Sequence, residues 1–158
     1  MNNNKHLGNR NKNKEYQKDQ NGFESKFNSG WIKNGFDNKT ISFCEEFGQY
    51  LAKGMTTSQI RNFFGEVKRI QMSGIEKELN AFYMLRPKLA YLAKRADKRE
   101  TIEFKKIMDI AHKAVTEVYE NHKDIKDLKN VLKQAFNNYV QFLEAILAYH
   151  KAYGGKSN

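Results

Sequence analysis

The sequence predicts an all-α protein, a single five-helix bundle with a disordered Asn-rich N-terminal segment. From residue 38 onward, apolar residues recur at the three- and four-residue spacing of amphipathic helices. Proline occurs once in 158 residues, and few runs alternate as a strand would. A chain of this length is long enough for one domain.

Composition divides the chain near residue 36. Residues 1–36 are dominated by Asn, with Lys, Gly and Gln, and cannot bury enough apolar surface to offset their chain entropy. We therefore expect this segment to be disordered and residues 37–158 to form the helical bundle domain. Five apolar residues near the end of the segment could dock either on the folded body or on a partner: Phe23, Phe27, Trp31, Ile32 and Phe36.

Local signals predict where the first three helices begin and end. The first is expected at about 41–53, before Gly54. For the second, at about 57–71, Thr56 and Gln59 form a capping box and Met55 and Ile60 a hydrophobic staple. The third is expected at about 75–95, with a second capping box from Ser73 and Glu76 and a bend or break at Pro87.

Two longer helices complete the predicted bundle, at about 101–121 and 125–153. The last has an apolar stripe too wide for one buried face. This helix is therefore expected to be central to the bundle, or to contact another subunit along part of its length. Its stripe consists of Leu128, Val131, Leu132, Ala135, Phe136, Tyr139, Phe142, Leu143, Ile146 and Leu147.

The residues that carry chemistry do not assemble a reaction, so we expect no enzyme, no cofactor and no small-molecule substrate. The sequence has neither a glycine-rich phosphate loop nor a Gly-x-Ser-x-Gly motif. Cys44 has apolar neighbours and is expected to be a buried thiol, and the pair Asp109 and His112 has no second copy that would build a metal site. No apolar run approaches the roughly 20 residues of a membrane span, and the N-terminus does not resemble a secretory signal. A cytoplasmic protein without membrane contact is expected.

Basic residues suggest a polyanionic partner. The chain has 28 Lys and Arg against 18 Asp and Glu, a net charge of +10. Residues 86–106 carry eight basic and three acidic side chains, and Tyr91 is spaced among them where it could stack on a base. Lys126, Lys129 and Lys133 are interpreted as a solvated face. The candidate phosphate contacts are Arg61, Lys68, Arg69, Lys88, Lys94, Arg95, Lys98 and Arg99, with Arg61 and Arg95 favoured because guanidinium groups bind phosphate oxygens bidentately.

Three stretches in order resemble a known family. They are Met-Thr-Thr-Ser-Gln-Ile-Arg at 55–61, Leu-Arg-Pro-Lys-Leu-Ala-Tyr at 85–91, and Phe-Leu-Glu-Ala-Ile-Leu-Ala-Tyr-His-Lys at 142–151. Their order and spacing are similar to those of the small subunit of the type III-A CRISPR effector, the Csm complex. The resemblance covers roughly residues 38–153.

This resemblance implies a non-catalytic five-helix subunit of an antiviral ribonucleoprotein. Its partners would be the guide RNA–target RNA duplex, the backbone and large subunits, and copies of itself in a filament. Carried over to this sequence, the implied phosphate contacts are Arg61, Lys88 and Arg95, with Lys53 and Arg69 nearby.

Two other functions stay open at the level of sequence. The turn at 54–56 followed by a helix could mimic a helix-turn-helix, as in a stand-alone DNA-binding regulator. Alternatively, the protein could be an adaptor that binds only protein, its charge serving solubility. Phosphate contacts weaken as salt rises, so the salt dependence of binding distinguishes the adaptor from the others.

Overall fold

The computed structural model describes residues 22–122 and 126–157, which form seven α-helices and no strand. The all-α class is therefore confirmed, and the expected number of five helices is corrected to seven within this part of the chain. The helices are α1 Gly22–Lys26, α2 Gly30–Lys33, α3 Asn38–Leu51, α4 Thr57–Ser73, α5 Leu79–Ala96, α6 Arg99–Asn121 and α7 Leu128–Ala152. None of the described helices is long and apolar enough to span a membrane.

The two additional helices correct the expectation of disorder for residues 22–36. Trp31 and Ile32 are buried, and the ring of Phe27 packs edge-on against Phe142 of α7 at a centroid distance of 5.5 Å. Asn138 on α7 donates a hydrogen bond of 3.0 Å to the Ile32 carbonyl oxygen. The apolar residues are few but closely spaced, so that together they bury enough surface to order this short stretch. They dock on the folded body; residues 1–21 lie outside the described residues.

The capping box at the start of α4 is confirmed. The Thr56 hydroxyl accepts a hydrogen bond from the Gln59 backbone N–H (3.2 Å), and the Gln59 side chain accepts one from the Thr56 N–H (2.9 Å). Met55 and Ile60 are both buried, as expected of a hydrophobic staple. Helix α3 begins earlier than expected, at Asn38, because Asp37 forms a capping box with Thr40.

The second predicted capping box is wrong. Ser73 ends α4 instead of starting the next helix, and Gly74 follows with a φ of +96°. Ile75 is then buried, which holds residues 75–78 in a turn before α5 begins at Leu79. Helix α5 continues through Pro87 and is not split there. Pro87 is exposed, so water can replace the hydrogen bond that the proline cannot make.

Helix α7 is central to the bundle and contacts α2, α3, α4 and α6. Most of its wide apolar stripe is buried inside this chain, as expected of a helix that is central to the bundle. The contact with α3 is close, because a Cβ at Gly48 would lie 2.7 Å from the Tyr149 Cβ and 2.9 Å from the His150 backbone nitrogen. Only a residue without a side chain permits this crossing.

Replacing Gly48 should therefore separate α3 from α7. We expect Gly48→Ala to lower the free energy of unfolding by about 1–3 kcal/mol, because the new methyl group meets backbone that cannot move aside. Gly65 in α4 is the matched control, since a Cβ added there would have no neighbour within 4 Å. Gly65→Ala should raise the free energy of unfolding by about 0.5–1 kcal/mol. Urea unfolding measures both, and equal effects of the two substitutions would contradict the close crossing.

The docking of α2 gives a second prediction. Ile32 is fully buried, so Ile32→Ala should cost about 2–5 kcal/mol of unfolding free energy, because burial is reduced and a cavity is left behind. Met72 is 85% exposed, and Met72→Ala should change stability by no more than about 0.5 kcal/mol. If Ile32→Ala costs no more than Met72→Ala, α2 does not belong to the folded body.

Candidate nucleic-acid interface

Four helix ends meet at one end of the bundle. The Glu66–Lys88 ion pair and the short connection between α4 and α5 make these helices antiparallel, so α4 begins beside the end of α5. The ring of Phe63 packs edge-on against Phe104 near the start of α6, at a centroid distance of 5.7 Å. Gly54, just after α3, lies against the Glu100 carboxylate. The ends of α3 and α5 and the starts of α4 and α6 are therefore neighbours.

This end of the bundle is strongly basic. Its segments 53–61 and 94–100 contain six basic side chains and only two acidic ones, Asp97 and Glu100. Asp97 has a left-handed backbone (φ +50°) at the turn from α5 into α6, and basic residues flank it on both sides in the chain. We call these six exposed residues the basic end: Lys53, Arg61, Lys94, Arg95, Lys98 and Arg99.

Most cations of the basic end have no acidic partner among the residues that the structure describes. Among residues 22–122 and 126–157, no acidic side chain forms an ion pair with Lys53, Arg61, Lys94, Arg95 or Lys98. Unpaired cations that are held on helix ends can bind an external anion without first breaking an internal ion pair. They form the part of the predicted interface that the fold brings together.

The other predicted contacts on α4 and α5 are engaged with neighbouring side chains. The Lys88 ammonium lies 2.8 Å from the Glu66 carboxylate, and Arg69 lies between Glu66 (3.9 Å) and Glu78 (3.7 Å). The hydrogen bond from Lys88 holds the pKa of Glu66 below its usual value. Lys68 donates to the Gln71 side chain at 2.7 Å. These cations are less available to an external anion than those of the basic end.

Tyr91 occupies the outer face of α5, four residues before Arg95. Its side chain is 68% exposed, in contrast to the neighbouring Leu89, which is buried. An exposed phenol ring between basic residues offers a surface on which a base or ribose can pack. The structure therefore orients Tyr91 toward solvent, as stacking on a nucleotide would require.

Lys156 is a basic residue near this interface that sequence reasoning missed. The Thr57 backbone N–H donates a 2.7 Å hydrogen bond to the Lys156 carbonyl oxygen, which brings the segment after α7 to the start of α4. The nearest sequence signal is Gly154-Gly155, a pair that by itself indicates only the end of the last helix. Contact between residues so far apart in the chain cannot be deduced from that pair of glycines.

Of the side chains considered for catalysis or metal binding, Cys44 and His112 are buried in the core. Burial raises the pKa of the Cys44 thiol to about 12, which keeps it protonated, and the prediction of a buried thiol is confirmed. His112 is buried with its Nε2–H donating to the Phe82 carbonyl oxygen at 2.8 Å, and burial lowers its pKa. Asp109 pairs instead with Lys105 at 2.6 Å, at the edge of a groove of about 710 Å³ between α5 and α6. No group of three or more metal-ligating side chains occurs in the part of the chain that the structure describes.

The fold and the surface together define a basic helical-bundle protein in which five cations without an ion-pair partner among the described residues lie together at one end. The family model described as Csm2 Type III-A matches residues 37–156, which is 120 of the 158 residues. The chain belongs to this family and is a small subunit of the type III-A CRISPR effector, the Csm complex. The comparisons find no matching curated protein and no matching solved structure.

The three motifs that carry the resemblance lie inside the matched segment and serve mainly the core. In the second motif Leu85 and Leu89 are buried, while its polar residues face outward. The first and third motifs are joined directly, because the buried His150 donates from Nε2 to the Met55 carbonyl oxygen at 2.6 Å. Arg61, the last residue of the first motif, is exposed and belongs to the basic end.

Glu66 should restrain the cations around it. We expect Glu66→Gln to bind heparin, a generic polyanion, more tightly than the wild type, because Lys88 and Arg69 lose their shared carboxylate. The control is Glu46→Gln, which removes the same charge from an exposed ion pair with Lys26 on another face. Elution from a heparin column at higher salt for Glu66→Gln than for Glu46→Gln is the expected result. Equal shifts would mean that only total charge matters.

Proposed function

We propose that this subunit lines the guide RNA–target RNA duplex of the effector, with its basic end facing the phosphates. Membership of the family identifies the complex to which this subunit belongs. The observation that carries the finer proposal is the set of unpaired cations where four helix ends meet. Such a surface suits a chain of phosphates better than any single small anion, because its charges are spread over several helix ends.

The proposed contacts read the backbone and not the bases. Arg61 and Arg95 each present a planar fork of N–H donors that matches two phosphate oxygens, and both are mounted on helices whose positions are set by the core. Lys53, Lys94, Lys98 and Arg99 add charge, and Tyr91 adds a stacking surface. Because contacts to phosphates do not distinguish bases, the sequence of the target would be set by its base pairing with the guide RNA. The proposal assigns no reaction to this chain.

The second part of the proposal is that this subunit associates with further copies of itself and with other subunits. The resulting complex would be cytoplasmic and would serve antiviral defence. The apolar stripe of α7 does not support this association, because most of that stripe is buried within the chain. Support comes from exposed apolar side chains on α5, Tyr83 and Met84, which have the character of a surface that a partner covers. Repeated copies would add many weak phosphate contacts along one duplex.

Reversing the charge of the two arginines tests the interface. We expect Arg61→Glu with Arg95→Glu, built into the reconstituted effector, to weaken target-RNA binding about tenfold or more, a loss of about 1.4 kcal/mol or more. The wild-type complex should lose affinity as salt rises, and the variant should show a shallower dependence. Fluorescence anisotropy with labelled target RNA at several salt concentrations measures both.

The control carries the same change of charge on α7 and just before it. Lys126→Glu with Lys133→Glu alters two exposed lysines outside the basic end and should leave affinity near the wild-type value. Circular dichroism and thermal unfolding of each free subunit establish that the fold is intact. Unchanged target binding by the arginine variant would reject the assigned surface. Sequence-selective binding of duplex DNA by the isolated chain would instead favour the function of a DNA-binding regulator. Binding that does not depend on salt concentration would favour an adaptor that binds only protein.

A further inference from the structure

The residues after α7 form a strap that crosses the start of α4. We define the strap as residues 154–157; Gly154 has a φ of +82°, which turns the chain back from the helix. Thr57 donates to it twice, from its backbone N–H to the Lys156 carbonyl oxygen (2.7 Å) and from its hydroxyl to that of Gly155 (3.3 Å). The Ser58 hydroxyl donates to the Ser157 carbonyl oxygen at 2.5 Å. The strap thus accepts a backbone donor that the first turn of a helix leaves unsatisfied.

A buried histidine, His150, contacts the strap on the side that faces the core. The Gly155 N–H donates to the His150 carbonyl oxygen at 2.9 Å, and a Cβ at position 155 would overlap the His150 ring. His150 is fully buried, and its bond to the Met55 carbonyl oxygen holds the ring beneath the strap. Glycine at 155 is therefore required for the strap to lie this close to the core.

These bonds between the strap and α4 use the backbone carbonyl groups of the strap. The Lys156 side chain takes no part in them, is exposed, and has no ion-pair partner in the part of the chain that is described. Its backbone is attached at Thr57, one helical turn before Arg61. A lysine held in this way loses less conformational freedom on binding than one on a free chain.

We infer that Lys156 is a further phosphate-binding residue of the basic end, with His150 and Gly155 as the positioning residues that hold it there. The inference rests on the proposed function and extends it by one charge supplied from outside the helices. Its ligand is the RNA phosphate backbone, the same chemistry that Arg61 would bind. The strap thereby links the last helix of the bundle to the proposed RNA surface.

The first test removes the charge and leaves the strap in place. In the reconstituted effector, Lys156→Gln should weaken target-RNA binding and reduce the slope of log affinity against log salt by about 0.7–0.9 for each phosphate that is no longer neutralised. Lys156→Arg should retain the wild-type slope. Lys151→Gln is the matched control, since Lys151 is an exposed lysine in the last turn of α7 and outside the strap. A purely structural role for Lys156 would not change the salt slope.

The second test moves the strap and keeps the charge. Gly155→Ala should displace the strap from the His150 ring, so that the Thr57 amide of the free subunit exchanges its hydrogen faster and the effector shows the reduced salt slope of Lys156→Gln. If Gly155→Ala does not fold, the Lys156→Gln slope alone decides whether Lys156 binds. If the salt slope of Lys156→Gln is unchanged while the Arg61 and Arg95 variant binds target RNA more weakly, the inference about Lys156 is overturned and the proposed function is retained. Unchanged binding by all of these variants overturns the proposed function as well.

Discussion

The close crossing of α3 and α7 at Gly48 is the constraint on which the rest of the structure depends. Because α3 lies against the backbone of α7, the long helix can be surrounded by α2, α3, α4 and α6 and bury most of its wide apolar stripe. The same contact places His150 beneath Met55, between α3 and α4. Both the start of α4 and the strap that crosses it take their positions from this buried arrangement.

The basic character of one end follows from where the acidic residues are used. Glu66, Asp109 and Glu117 are paired with lysines along the helices, at Lys88, Lys105 and Lys33 respectively. Such exposed or half-exposed pairs add little stability, but each cancels one positive charge along the helices. The helix ends have fewer acids, so most of their cations remain unpaired among the described residues. This division of charge is what the proposed contact with RNA phosphates requires.

Much of the fold could be predicted from local patterns. The capping box of Thr56 and Gln59 uses neighbours in sequence, and it is predictable because local hydrogen bonds need no tertiary context. The Ser73 and Glu76 pattern fails for the opposite reason: burial of Ile75 competes with helix initiation there. Of the predicted interface, Arg61 and Arg95 have no ion-pair partner among the described residues. Lys88 and Arg69, in contrast, both pair with Glu66. The pairing of Lys88 could not be predicted from the sequence, because Lys88 lies on α5 and Glu66 on α4.

The sequence by itself determined the all-α class, the basic charge and the family, since these depend on composition, periodicity and short motifs. Only the tertiary structure decided that residues 22–36 dock on the bundle, because their few apolar side chains are stabilised by surfaces supplied from α3 and α7. It also decided which of the described cations stay unpaired and that Lys156 lies beside Thr57. Partners far apart in the chain meet through packing of the core, and packing depends on the whole set of helices at once.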